Sequence, residues 1–276
     1  MIYQCVSLIW RNRMKTKQTV TGALCLLGLV ALFPTTATAQ NQDGLGALAP
    51  ANLTKPRPAA PFNVTGTWSF DRNFSGERFD PPEGFVLTPY GQSHYDAAQK
   101  ATAEGKIYRN DIGLCWPIGM PIMMARAWPV YMIQTPTSIF MVQELMNEIR
   151  MVFMDGREHT DINVAIPSWA GESVGHWEGD TLVIDTKNFV DQRHWIHDRL
   201  GIPGSDQLQI IERVTMPDAD TMRIQFLLRD PKVFVGDWVM TKQWVRSNDR
   251  DIQEVHCLPD LNEHMPTTQA DEFNVR

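Results

Sequence analysis

The sequence has no basic excess, no second long apolar run, and no Walker or kinase signature. Its 25 Lys and Arg are outnumbered by 32 Asp and Glu, a formal net charge of −7. A nucleic-acid binder needs a basic patch to meet phosphates, so that class is excluded. The one pronounced apolar run lies near the N-terminus, which argues against a multi-span channel or receptor. No glycine fingerprint follows a predicted strand, so nucleotide cofactors have no support. Cysteine is scarce, with four in 276 residues. What is present is a globular balance, 43% hydrophobic and 21% charged.

Residues 1–39 read as a secretory signal peptide whose start is Met14. Lys15 and Lys17 precede an 11-residue apolar stretch, Ala23–Phe33, and Ala37-Thr38-Ala39 supplies small residues for cleavage. That stretch is too short for a comfortable membrane span, so no stable membrane insertion is expected. The segment holds four bases (Arg11, Arg13, Lys15, Lys17) and no acid, so cleavage leaves 21 bases against 32 acids, or −11. Cys5 and Cys25 leave with it. A periplasmic protein retaining Cys115 and Cys257 points to one disulfide, with two buried thiols as the alternative.

Residues 40–62 are rich in Ala, Pro and Gly and read as a flexible linker. A single domain follows over 63–265, then a tail over 266–276. Short alternating runs predict strands at Val64–Phe70, Val130–Gln134, Ile139–Leu145, Ile149–Met154, Val174–Trp177, Thr181–Thr186, Leu208–Thr215, Met222–Arg229, Trp238–Arg246 and Ile252–Cys257. Thr88-Pro89 predicts the capped start of one helix that ends near Gly105. The pattern fits an all-β, mainly antiparallel, lipocalin-like up-and-down barrel of about ten strands. A two-sheet sandwich is the alternative. A barrel of this size commonly leaves an interior cavity for one small ligand.

Several residues carry possible chemistry. Asp155-Gly156-Arg157-Glu158-His159 ends a strand, with Arg150 upstream, so His159 is a candidate general base at a barrel mouth. Period two places Glu212 with Ile210 and Val214, Glu144 with Phe140 and Val142, and Asp185 with Val183. Any of these acids that faces inward needs a partner such as His159 or Arg150, which would form a buried acid–base set. One residue of register error turns each outward. Trp68, Met141, Phe153, Trp177, Trp238 and Trp244 are candidate cavity lining. His194 and His197 in RHWIHD lack a zinc-type ligand set, and the Met120–Met154 methionines read as lining rather than copper ligands, so no metal is expected.

The run Pro167–Thr186 (PSWAGESVGHWEGDTLVIDT) resembles a family of secreted, largely uncharacterised bacterial proteins. Further matching pieces are Cys115–Pro121, Asp155–His159, Ser205–Leu208, Glu212-Arg213, Asp230-Pro231, Glu254 and Cys257. The resemblance covers roughly residues 64–260 and implies export and a compact β-rich domain. Relatives in soil bacteria include some that degrade aromatics, a faint pointer to substrate class. Two departures stand out: Gly204 replaces the family's usual His, and the segment after Cys257 lacks the usual His-Glu-Gly-Asn run.

These readings lead to three functional expectations. The first is a cofactor-independent lyase or isomerase acting on a small hydrophobic or aromatic hydroxylated compound. In it His159 is the base, Glu212 or Glu144 the partner acid, and Arg150 or Arg157 stabilises negative charge. The second is a non-catalytic carrier of a hydrophobic small molecule. The third is a secreted interaction module with a filled core.

Overall fold

The computed structural model describes residues 44–74 and 79–261. The expected signal peptide over 1–39 and the tail over 266–276 lie outside the described residues. The elements begin with α1 (Pro50–Leu53), β1 (Gly66–Phe70), β2 (Val86–Leu87), α2 (Pro89–Ala103) and α3 (Ile122–Ala125). Next come β3 (Val130–Gln134), β4 (Ser138–Gln143), β5 (Ile149–Phe153), β6 (Glu172–Glu178) and β7 (Thr181–Lys187). Then follow β8 (Trp195–His197), β9 (Ile202–Pro203), β10 (Gln209–Asp218), β11 (Thr221–Arg229), β12 (Phe234–Val235) and β13 (Trp238–Arg246).

Nine strands close into a barrel in the order β1-β13-β11-β10-β7-β6-β5-β4-β3, with β3 returning to β1. Closure satisfies the edges that an open meander would expose. Every neighbouring pair is antiparallel except β5 and β6, which run parallel and pair only at Val152–Ser173 and Phe153–Val174. The expected tenth strand, Ile252–Cys257, does not form, and only Val255 bridges, to Leu145. Its backbone groups go elsewhere: Gln253 N donates to Glu144, while Asn147 accepts from Val255 N and donates to Gln253 O.

The expected helix is present. Thr88 caps it, accepting from Gly91 N at 3.2 Å with Pro89 at the first position. The β6–β7 turn uses Gly179 at φ +58°, a conformation that disfavours a side chain. Residues 44–62 are not a free tether. Ala47 and Asn52 are buried, the Ala47 carbonyl accepts from Thr137 Oγ1, and Asn52 Nδ2 donates to Asp155 Oδ2. The Pro- and Ala-rich composition hid these two anchor points.

The inward faces follow the two-residue period. β11 contributes Met222, Ile224, Phe226 and Leu228, and β13 contributes Trp238, Met240, Lys242 and Trp244, all buried. Trp68, Phe226, Trp238, Lys242 and Trp244 each expose 1% or less, so no water-sized space adjoins them. The expected interior cavity is therefore filled by side chains at these positions. A cavity lies instead at the end where β1 finishes and β3 begins, beneath α3 and the β8–β9 pair.

One polar cluster crosses the lumen. Arg150 of β5 is fully enclosed and reaches Glu212 of β10 through both terminal guanidinium nitrogens, Nη1 and Nη2. It also donates Nε to Ser173 Oγ of β6 at 3.0 Å and Nη2 to Thr186 Oγ1 of β7 at 2.9 Å. Replacing Arg150 by Met strands a buried carboxylate, which costs about 3–5 kcal/mol, whereas adding Glu212→Leu restores most of the loss. Urea unfolding of the single and double variants tests this, and a single variant within about 1 kcal/mol of wild type would contradict it.

Cys115 and Cys257 are disulfide-bonded, with Cα atoms 5.5 Å apart and a sequence separation of 142. The bond anchors the segment after β13 to the loop before α3. Removing a crosslink that closes so long a loop costs about 2–5 kcal/mol through the unfolded ensemble. Replacing both cysteines by Ser lowers the thermal midpoint accordingly, and an unchanged midpoint in scanning calorimetry would refute the estimate.

Candidate functional site

The expected acid–base residues separate into different environments. Glu212 alone of the three acids enters the lumen, where Arg150 meets it. Asp185 pairs across the ladder with Ile211, next to the Glu212–Ile184 pair, so it faces outward on β7. His159 lies on the same outer surface. Its Nδ1 is 3.4 Å from Glu172 Oε2 and its Nε2 is 3.3 Å from Asp185 Oδ2. The barrel wall thus stands between His159 and the Arg150–Glu212 pair.

The remaining candidates serve local packing. Glu144 is buried outside the lumen and accepts from Arg250 Nη2 at 2.6 and 2.7 Å. Arg157 donates Nε and Nη2 to Asp155 and stacks 3.8 Å over Phe153. Phe153 therefore faces outward. Trp177 meets Phe62 edge-on at 4.8 Å, while Trp68, Met141, Trp238 and Trp244 enter the lumen. Gly171-Glu172-Ser173-Val174-Gly175 also spells a nucleophile-elbow motif. Here it runs straight through β6, with Ser173 Oγ accepting from Arg150 and bonded to Thr186, so no elbow exists.

His159 is held between two carboxylates. Burial disfavours its charged form, but hydrogen bonds to Asp185 and Glu172 and the charge of Asp185 outweigh that and raise its pKa above 6.5. Burial alone would raise both carboxyls. Hydrogen bonds from His159 to both, from Thr160 to Glu172, and from Gln209 and Lys187 to Asp185 bring each to about 2. A general base needs a lone pair directed at substrate, and both nitrogens of this ring face carboxylates.

The mouth cavity has a volume of about 610 Å³. Phe70, Phe79, Ile122, Ile196 and Leu200 give it apolar walls, and Asp80, Arg126, His197, Asp198 and Arg199 give it polar ones. Arg126 and Asp198 neutralise each other in an ion pair. His197 Nδ1 accepts from Leu200 N at 3.2 Å, so the neutral ring carries its proton on Nε2 and is a donor. Burial lowers the His197 pKa, against the opposing charges of Asp198 and Asp80. Sequence reasoning passed over this histidine because RHWIHD lacks a metal-ligand set. Among the described residues, no group of three or more His, Cys, Asp or Glu is arranged to hold a metal.

A second cleft of about 320 Å³ opens at the β5–β6 seam, beside Arg150, Glu172 and Asn188 and the exposed Ile149 and Ile166. Gly204 packs directly on the buried His194 ring, and a Cβ at that position would stand 2.7 Å from its Nδ1. A larger residue at 204 therefore requires the ring to move. Burial holds His194 at a pKa of about 4, and its Nε2 donates to the Met120 carbonyl.

No family model and no curated protein matches the chain. Among solved structures, the wild-type fluorescent protein UnaG is 14% identical with a TM-score of 0.32, covering 67% of this chain and 97% of its own. A REP1-NXSQ fatty acid transporter variant is 14% identical with a TM-score of 0.29, covering 67% and 98%. A secretary abundant heat soluble protein from Ramazzottius varieornatus is 8% identical with a TM-score of 0.24, covering 67% and 96%. The barrel assignment itself rests on the strand pairing described above.

The His159 clamp has a defined pH signature. With its pKa raised, His159 stabilises the fold fully below about pH 6.5, and the contribution fades as pH climbs through the raised value. Glu172 and Asp185 stabilise above about pH 4.5, and their contribution is lost as pH falls through about 2. The clamp is therefore strongest between those limits. His159→Asn removes the decline in unfolding free energy above pH 6.5, and NMR titration places the wild-type ring above 6.5. A ring titrating below 6.5 would refute the clamp.

Proposed function

We propose that the protein is an exported, non-catalytic carrier that binds a small, largely apolar molecule in the mouth cavity. The observation that carries this reading is the open 610 Å³ cavity, in which five large apolar side chains face the Arg126–Asp198 ion pair, the charged Asp80 and Arg199, and one histidine poised as a donor. Such a site orients a ligand through few polar contacts while burying its apolar surface. The disulfide suits an oxidising compartment, and among the described residues no helix is long and apolar enough to cross a membrane. A cleaved leader and a periplasmic address belong to the same reading.

An acid–base enzyme centred on His159 requires that ring to release a carboxylate before it can accept a substrate proton. The carrier reading requires no such rearrangement. Aromatic and hydroxylated compounds remain the first ligands to screen, given the Phe70 and Phe79 walls.

Isothermal titration of the oxidised protein against a panel of small aromatic compounds tests the proposal. Leu200→Trp fills the cavity and abolishes binding, while His197→Ala weakens it about tenfold through loss of one hydrogen bond. Binding that survives Leu200→Trp moves the site elsewhere. Turnover that disappears in His159→Ala would replace this reading with catalysis.

A further inference from the structure

An antiparallel barrel strand with one face on a filled core alternates apolar residues inward with polar residues outward. β10 and β11 follow that rule, with Arg213, Arg223, Gln225 and Arg229 all exposed on the outer face. β5 inverts it. Its charged residue, Arg150, points into the lumen, while Ile149, Met151 and Phe153 point outward. Phe140 and Val142 do the same on β4. Cross-strand pairing joins Ile133 of β3 to Phe140, and Phe140 to Met151 of β5, in one apolar row. Strands that are apolar on both faces are those covered on both faces.

On its β6 side this row meets the loop that carries the chain from β5 to β6. Ile166 of that loop is 92% exposed and lines the seam cleft of about 320 Å³ together with Ile149, Met151 and Phe153. Ile133 is 42% exposed and Ile149 65%, and the same loop holds Ile162 at 62% and Val164 at 47%. These side chains present on the order of 600 Å² of apolar surface, the upper end of what the largest patch on a monomer shows. The polar groups at the cleft are engaged within the fold. Glu172 accepts from Thr160 N and Asn188 Nδ2, and Ser168 Oγ donates to the Gly171 carbonyl. What the face offers is shape and apolar area.

We propose that this face is a self-association surface, occupied by a second copy of the chain related by a two-fold axis. Knob and hole stand side by side on it, Ile166 projecting next to the apolar cleft. A two-fold axis between them seats Ile166 of each copy in the cleft of the other, the reciprocal contact that such symmetry requires. Covering the patch on both copies buries about 1,200 Å², the lower limit of a standard interface, so the dimer is a weak one. The chain carries a net charge of −7, so two copies repel at long range and meet best through an uncharged centre. Apolar centres of that kind are characteristic of homodimers. The same acid excess opposes an anionic membrane surface. The mouth cavity shares none of these residues, so this inference stands apart from the carrier reading.

Sedimentation velocity of the oxidised protein between about 1 and 200 µM tests the proposal. The wild-type protein passes from monomer to dimer with a dissociation constant of about 10 µM, and its thermal midpoint rises with concentration. Ile166→Asp and Ile149→Asp each weaken the dimer about hundredfold, and the midpoint then no longer depends on concentration. Both positions face solvent in the monomer, so neither substitution lowers the midpoint of dilute protein. Val239→Asp, at an exposed apolar position on the outer face of β13, leaves the dissociation constant unchanged. Wild-type protein that stays monomeric throughout overturns the proposal, and so does a dimer that survives both Ile substitutions. Monomeric protein that binds phosphatidylcholine vesicles, and loses that binding in Ile166→Asp, gives the face to a lipid surface instead.

Discussion

Arg150 spans the weakest part of the barrel, and the closed fold depends on that reach. β5 and β6 share a parallel ladder of only two residue pairs, whereas β10 and β11 pair along most of their length. From the inner face of β5, Arg150 contacts β6 through Ser173, β7 through Thr186 and β10 through Glu212. Glu172 of β6 and Asp185 of β7 are joined on the outside by His159. The short ladder is thus reinforced on both faces. Burying a charge is tolerated here because each ion has its partner and the hydroxyls meet the remaining donors.

That strap also shapes the available space. A side-chain network crossing the lumen, together with Trp68, Phe226, Trp238 and Trp244, takes up volume that a wider barrel would leave to a ligand. Accessible space is displaced to the mouth, where α3 and the β8–β9 pair stand clear of the strand ends. Phe79 links the two regions, its ring packed against Trp238 on one side and 6.1 Å from His197 on the other. Packing of the core and shape of the cavity therefore share residues.

The strands were largely legible because period-two burial leaves a direct trace in composition. Val130–Gln134 and Trp238–Arg246 match the structure to the residue, and most others fall within two or three residues of it. The two-residue period groups Glu212 with Ile210 and Val214, and the ladder turns that face inward. Glu144 and Asp185 look identical by that logic but face outward, because alternation groups residues by face without saying which face is the core. Ile252–Cys257 has strand-like composition, yet its hydrogen bonds go to Glu144 and Asn147, a tertiary preference invisible in local sequence. His159 drew attention through its charged neighbours. His197 did not, since the walls of its cavity come from segments more than a hundred residues apart in sequence.

Polar residues in this molecule sort by whether their hydrogen-bonding capacity is already met inside it. Arg150, Glu212, Arg157, Glu144 and His159 are the groups that a search for chemistry selects, and each has charged partners within the fold. A group whose partners are all internal must break a contact before it can meet a ligand, and for a buried ion that step is expensive. Groups with capacity left over are quieter and of both kinds: the Nε2–H of His197 and the indole N–H groups of Trp238 and Trp244 can donate, while Gln143 Oε1 and His194 Nδ1 can accept. Of these, His197 is the one that lines the mouth cavity. A molecule that meets it supplies an acceptor and an apolar body, and needs no proton taken from it. Unmet valence at the cavity therefore fits recognition better than proton transfer, although the charged residues first suggested the reverse.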